Sequence, residues 1–218
     1  AKQQSSRNSH TMLCLCTLEL CASFYRNMNH LADWQSLPSQ SERFVMVFCA
    51  ATRVQDETSA QLVAEQLGLA AVVVNFLRGR RNRDITFDWH QALHVAGDSG
   101  ISLQYAHARL CSLEEKAGLS VEREVAVDLL QEPCALALAV QVARFEEVVC
   151  SAVHQLEPCI VTQYLFVLSH AIGRAAKELP VKNQVLPLAQ ARLLLFHAAR
   201  VTLAQGMRLL GVEPLKAM

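Results

Sequence analysis

Four residues near the middle of the chain have the types and the spacing to bind single-stranded RNA. Tyr105, Arg109, Ser112 and Lys116 follow one another at steps of three and four, so a helix would carry them as one stripe. The stripe offers an aromatic ring on which a base can stack and two cations that can contact phosphate. Unstacked RNA bases are recognised by this combination of groups. The spacing therefore predicts an RNA-facing helix surface.

The same helix has an apolar face. Its apolar residues are Leu103, Ala106, Leu110, Leu113 and Ala117. This spacing is typical of a helix that packs one face on a protein core. A Gly-Asp-Ser-Gly turn at residues 97–100 precedes the helix, and we expect Asp98 to cap the helix or its turn.

Three further helices are predicted after this one. Pro133 and Pro158 are each expected at a first helical position, and Gly211 is expected to cap the last helix. The helix after Pro133 is expected to bury Leu138, Val142, Phe145 and Val149. The other two are expected to bury Val161, Leu165, Leu168, Ile172, Ala175, Leu179, Phe196, Ala199, Leu203, Met207 and Leu210.

An additional helical pattern covers residues 55–78. The residues expected to be buried there are Leu62, Ala64, Leu67, Ala70 and Val74. Strand signals are nearly absent beyond residue 56. The sequence therefore predicts an all-α helical bundle, with an N-terminal segment that the pattern does not place.

Composition limits the classes of function. Hydrophobic residues make up 52% of the 218 residues and the formal net charge is zero. A chain of this composition can bury a sizeable core, but its neutrality argues against a large standalone nucleic-acid surface. None of the eight cysteines forms a Cys-x-x-Cys pair, so we expect buried thiols in a reducing compartment and no metal site. No apolar run reaches the roughly 18 residues of a membrane span.

The segment 97–110 resembles a signature of arginyl-tRNA synthetases. In that family a Gly-Asp-Thr-Gly turn leads into Leu-Gln-Tyr-Ala-His-Ala-Arg. Here Ser99 replaces the threonine, and residues 101–102 are Ile-Ser where the family usually has Pro-Tyr. Residues 84–89 and 191–218 are also similar to segments of the family, in the same order.

The resemblance covers roughly residues 56–218 and implies a domain organisation. Residues 97–218 would form the α-helical anticodon-binding domain of a class I synthetase. Residues 56–96 would be the remnant of the end of the catalytic domain, and residues 1–55 match nothing in the family. The implied partner is the anticodon arm of tRNA(Arg), and the implied parent reaction is the ATP-dependent attachment of arginine to that tRNA.

The chain lacks the sequence hallmarks of that reaction. The family's His-x-Gly-His and Lys-Met-Ser-Lys-Ser motifs serve ATP, with Mg, and neither occurs in this sequence. We therefore assign no catalytic, cofactor or metal residue, and we expect no enzymatic activity from this chain without the missing catalytic domain. The alternative is a non-catalytic helical protein-interaction module derived from a synthetase. A monomer is expected.

The resemblance also implies a set of tRNA-binding residues. They are Tyr105, Arg109, Gln104, Met218 and Arg208. Tyr105 and Arg109 match family positions on the signature helix, and Met218 matches a terminal methionine. Arg208 could instead compensate the dipole at the end of the last helix.

The three candidate residues on the signature helix could instead have structural roles. Tyr105 could pack between helices, Arg109 could pair with Glu132 or Asp98, and Gln104 could fix helix packing. His107 has no nucleophile or carboxylate at a telling spacing, so helix packing or turn binding is favoured over a role as a base.

Two departures from the family reduce the number of stacking rings. Ser102 stands where many members have a second tyrosine, and Ala176 stands where an aromatic residue is common.

The basic turn at residues 78–83 is either a solvated loop or a tRNA phosphate contact. The chain as a whole, including residues 164–170, is most similar to the mitochondrial branch, which implies the mitochondrial matrix; the cytoplasm is the alternative.

Overall fold

The computed structural model describes residues 57–94, 97–122 and 124–218, so the expectations for residues 1–55 lie outside the described residues. The described part contains helices and no strand, which confirms the all-α prediction. Its helices are α1 (Glu57–Leu77), α2 (Trp89–Ala92), α3 (Gly100–Ala117), α4 (Pro133–Ala143), α5 (Phe145–Gln155), α6 (Cys159–Glu178) and α7 (Leu186–Leu209), with a 3₁₀ turn at Val127–Leu129. No described helix has the length and apolarity that a membrane crossing needs.

Helix α3 begins at a reciprocal pair of serine hydrogen bonds. The Ser102 backbone N–H donates to Ser99 Oγ at 3.1 Å, and the Ser99 N–H donates to Ser102 Oγ at 3.3 Å. This arrangement is a capping box. The expectation that Asp98 caps the helix is wrong, because Ser99 occupies the N-cap position. The helix ends at Gly118, whose φ of 63° is the left-handed conformation that glycine adopts without strain.

The start of α3 lies directly against α1. Gly100 is buried, and a methyl group at this position would overlap the carbonyl oxygen of Ala70. The backbones of the two helices can approach this closely only because residue 100 has no Cβ. Gly100 therefore sets the distance between α1 and α3.

The described residues after α3 contain four α-helices rather than the three predicted. The expected single helix from Pro133 is interrupted at Arg144, whose ψ is −7°. A regular α-helix has ψ near −42°, so the chain changes direction between α4 and α5. Pro133 is the first residue of α4, as predicted, whereas Pro158 immediately precedes α6.

Most residues of the predicted apolar stripes form one core, although Val142 and Phe145 are only partly buried against it and Leu67 belongs to a second, smaller cluster. The stripe of α6 is fully buried from Val161 to Leu179, and it packs with the stripe of α7 from Phe196 to Leu210. Helix α1 joins this core through residues that include Val74. Leu62 is 59% exposed, so its predicted burial is wrong.

Two arginines of α7 tie this helix to its neighbours. The buried Arg192 donates from Nη1 to the carbonyl oxygen of Pro180 at 2.6 Å and pairs with the carboxylate of Glu132. The hydrogen bond from Arg192 lowers the pKa of Glu132. Arg200 Nε donates to Glu114 Oε1 of α3 at 2.7 Å. These contacts fix α7 against α3 and against the start of α4.

The close approach at Gly100 predicts that Gly100→Ala is strongly destabilising. The added methyl must push α1 from α3, and overpacking of this kind costs about 1–3 kcal/mol in the free energy of unfolding. We expect a loss near the top of that range in urea unfolding followed by far-ultraviolet circular dichroism.

Gly68→Ala is the matched control. Gly68 also lies inside a helix, but a Cβ there would meet nothing within 4 Å. Helix propensity then predicts a gain of up to about 1 kcal/mol. Equal stabilities of the two variants would contradict the role assigned to Gly100.

Candidate nucleic-acid interface

Tyr105 and Arg109 lie on the exposed side of α3. The Tyr105 side chain is half exposed, so it is not packed between helices. Arg109 is exposed and has no acidic partner in the described part of the chain. The two acids considered as partners of Arg109 contact other residues instead: Glu132 pairs with Arg192, and Asp98 pairs with His170 of α6. Both candidate groups are therefore accessible to a ligand.

The two residues line a small cleft between α3 and α6, which we call the α3–α6 cleft. Its volume is about 150 Å³. On the α3 side it is lined by Asp98, Ser102, Tyr105, Ala106 and Arg109 together with Gly97, and on the α6 side by Phe166, Ser169, His170, Ile172 and Gly173. An aromatic ring, a guanidinium group and several polar groups thus converge on one concave surface.

His170 is a component of the cleft that the sequence analysis missed. Its Nε2 lies 3.1 Å from Asp98 Oδ1, so the pair connects α6 to the turn that precedes α3. About two thirds of the His170 side chain remains exposed. The only sequence signal for this residue was its place on the exposed face of α6, opposite the buried stripe.

Ser102 has a local structural role in place of the ring that the family has there. Its hydroxyl oxygen accepts from the Ser99 N–H at 3.3 Å, which completes the capping box, and the hydroxyl donates to the Ser99 carbonyl oxygen at 2.8 Å. The imidazole of His170 is a further ring in the cleft lining, which also includes Tyr105 and the buried Phe166.

Gln104 is not available to RNA, and its assignment as a tRNA contact is corrected. The side chain is completely buried. Its Nε2 donates to the Glu213 carbonyl oxygen at 2.8 Å, and its Oε1 accepts from the Leu215 N–H at 2.8 Å. Gln104 thus satisfies two backbone groups of the C-terminal segment, residues 213–218. The role of Gln104 is structural, but it holds the C-terminal segment rather than the packing of two helices.

His107 holds the same segment. Its Nδ1 lies 2.7 Å from the Leu215 carbonyl oxygen, which can only accept, so Nδ1 carries the proton. The ring is buried, and desolvation lowers the pKa of His107, with the charges of Arg200 and Arg208 acting in the same direction. The imidazole is a neutral donor that anchors backbone, which confirms the structural interpretation.

The structure does not bring Met218 or Arg208 into the α3–α6 cleft. Met218 packs, with Leu215, on a small apolar cluster formed by α1, α2 and the start of α3. Arg208 is exposed and its Nη2 lies 3.0 Å from Glu213 Oε1. Contact of either residue with tRNA stays a prediction.

Removing the amide of Gln104 is expected to release the C-terminal segment. In Gln104→Met the Glu213 carbonyl and the Leu215 N–H both lose their partner, and each lost buried hydrogen bond costs about 1–3 kcal/mol. We expect hydrogen exchange at the Leu215 amide to accelerate at least about tenfold, because each 1.4 kcal/mol of local stability is a factor of ten.

Gln205→Met is the control, because Gln205 is exposed on α7. Exchange in residues 213–218 should match the parent chain in this variant. An unchanged Leu215 rate in Gln104→Met would show that the amide does not hold the segment.

Comparison with known proteins identifies the family that this chain resembles. The model of the DALR anticodon binding domain matches residues 103–218. A probable cytoplasmic arginine–tRNA ligase of Dictyostelium discoideum is 43% identical over 156 residues, and a probable mitochondrial one of Mus musculus is 42% identical over 158 residues. Each alignment covers 72% of this chain and about a quarter of the relative.

A solved structure agrees in fold. The Thermus thermophilus arginyl-tRNA synthetase superposes with a TM-score of 0.76 and 27% sequence identity, covering 84% of this chain and 32% of that one. The chain thus spans about a quarter to a third of the proteins it matches. Since the family model accounts for more than half of the sequence, the chain belongs to the DALR anticodon-binding domain family.

Proposed function

We propose that the chain is the tRNA-binding C-terminal part of an arginine–tRNA ligase and that the α3–α6 cleft receives the anticodon arm of tRNA(Arg). The observation that carries the proposal is the exposed pair Tyr105 and Arg109, held in a cleft of a DALR domain. The relatives named as arginine–tRNA ligases support the identity of the tRNA.

The cleft would act by positioning. An unstacked base can stack on Tyr105 while the Arg109 guanidinium bonds a phosphate or a base edge. His170 offers a second planar surface from the α6 side. Holding the anticodon arm in one orientation fixes where the acceptor end of the tRNA lies, which lowers the entropy cost of a reaction at a distant active site.

Tyr105→Ala is expected to weaken binding of an anticodon stem-loop of tRNA(Arg). Loss of one base–aromatic stack costs about 1–3 kcal/mol, which is roughly a 5- to 150-fold rise in Kd. The dependence of Kd on salt should stay unchanged, because no cation is removed. Fluorescence anisotropy at several salt concentrations measures both quantities.

Leu136→Ala is the control for Tyr105→Ala. Leu136 is 65% exposed on α4, away from the cleft lining. If both variants bind the stem-loop with the Kd of the parent chain, Tyr105 does not contact the RNA.

We propose that the parent reaction, ATP-dependent attachment of arginine to tRNA, belongs to a catalytic domain that this sequence does not contain. That domain would hold ATP with Mg and would be the protein partner of this chain, which we expect to be a monomer. The described residues include no group of three His, Cys, Asp or Glu side chains arranged to hold a metal ion, and no residue here is assigned to catalysis.

The 218-residue chain is expected to be inactive in aminoacylation. With arginine, ATP, Mg²⁺ and tRNA(Arg), the transfer of labelled arginine to tRNA should not exceed the blank, because the sequence has neither ATP motif. A full-length arginine–tRNA ligase under the same conditions is the positive control. Arginine attachment above the blank by the chain alone would contradict the assignment of the reaction to a separate catalytic domain.

A second candidate function is a non-catalytic protein-interaction module. An apolar groove of about 400 Å³ between α4 and α7 favours it, since the lining includes the exposed Leu136 and Val127. Exposed apolar grooves of this kind are typical of protein contacts. Absence of tRNA binding at micromolar concentrations of the chain would favour this alternative.

The compartment we propose is the mitochondrial matrix, with the cytoplasm as the alternative. The similarity of residues 164–170 to the mitochondrial branch supports it, although relatives of both types match at almost equal identity. Fractionation of the source cells, followed by detection with an antibody to residues 97–218, separates the two.

A further inference from the structure

We propose that the basic turn, residues 78–83, is a second contact surface for the same RNA and binds phosphates of its backbone outside the α3–α6 cleft. The proposal rests on the function proposed above, because it concerns how the same tRNA is held. The turn would contribute to the affinity for RNA, and the α3–α6 cleft would recognise the bases.

The turn concentrates positive charge in a chain whose net charge is zero. Four of its six residues are arginines, and Arg80, Arg81 and Arg83 are exposed. Asp84 and Asp88 follow it, so the segment 78–88 keeps a net charge of two positive. The planar guanidinium group bonds a phosphate through two parallel N–H groups, which makes arginine well suited to nucleic-acid backbones.

The turn is held in place at both its base and its tip. At the base, the rings of Phe76 and Phe87 stack with centroids 5.7 Å apart and an interplanar angle of 17°. At the tip, the Arg81 backbone N–H donates to Glu157 Oε2 at 3.3 Å, and Arg81 Nε lies 3.7 Å from Glu157 Oε1. A ligand would therefore meet a positioned turn rather than a loop that it must first order.

Glu157 neutralises only one of the exposed arginines. Neither Arg80 nor Arg83 has an ion pair with any residue that the structure describes. Their backbones are joined, because the Arg83 N–H donates to the Arg80 carbonyl oxygen at 3.0 Å. Two unpaired cations thus lie on one tight turn and face solvent.

The turn and the cleft are linked by one helix. Glu157 lies two residues before α6, and His170 lies on α6 eleven residues after Cys159. At 1.5 Å per residue this separation is about 16 Å along the helix. Phosphates of one strand in a duplex are spaced by about 3.4 Å along its axis, so this separation corresponds to about five phosphates of a hairpin whose loop occupies the cleft.

A phosphate contact makes a distinct prediction for salt dependence. Each phosphate neutralised by a cation contributes about 0.7 to 0.9 to the slope of log K against log salt. Arg80→Gln/Arg83→Gln should therefore lower the slope for a tRNA(Arg) transcript by about 1.4 to 1.8. This variant keeps Arg81 and its contact with Glu157, so the turn retains its anchor. Kd is measured by anisotropy between 50 and 200 mM KCl.

The control removes the same charge elsewhere. The control variant is Arg144→Gln/Lys182→Gln. Arg144 lies at the break between α4 and α5, Lys182 lies in the loop after α6, and both residues are exposed. Its slope should equal that of the parent chain. Circular dichroism of both variants checks that the fold is kept.

The outcomes separate this proposal from the proposed function. If the parent chain binds the tRNA and Tyr105→Ala weakens it, but the slopes of the two double variants are equal, the turn does not contact RNA and the cleft proposal stands. If the parent chain does not bind the tRNA at micromolar concentration, the proposed function fails and this inference fails with it.

Discussion

The site depends on the close approach of α3 to α1 at Gly100. The missing Cβ lets the carbonyl of Ala70 lie against the start of α3, and Ser99 fixes the same point by capping the helix. With the start of α3 set, the rotation of the helix is set too. One face then carries Tyr105 and Arg109 into the cleft, and another carries Gln104 and His107 to the C-terminal segment.

A chain with zero net charge can bind RNA when its positive charges are concentrated on part of its surface. Three acids of the described residues contact basic side chains of other elements: Glu132 pairs with Arg192, Glu114 with Arg200 and Asp98 with His170. Unpaired arginines remain on the outside of α3 and on the basic turn, so local potential can favour phosphate without any net charge.

Local patterns in the sequence predicted the helices well and the long-range contacts poorly. The stripes of α3, α6 and α7 follow the 3.6-residue period, which a single sequence displays directly. The break at Arg144 has no proline or glycine to signal it. The partners of Gln104 are 109 and 111 residues away along the chain, and His170 meets Asp98 only through the packing of α6. Such contacts are properties of the tertiary fold, so the sequence could not reveal which backbone groups Gln104 binds.

The hydrogen bonds from Gln104 and His107 make residues 213–218 an internal part of the fold. Terminal residues of most domains tolerate cutting or extension because few contacts hold them. Here deletion of residues 213–218 would leave a buried amide and a buried imidazole without partners and would uncover the apolar cluster under Met218. An affinity tag used to purify the protein is therefore better placed at the opposite terminus.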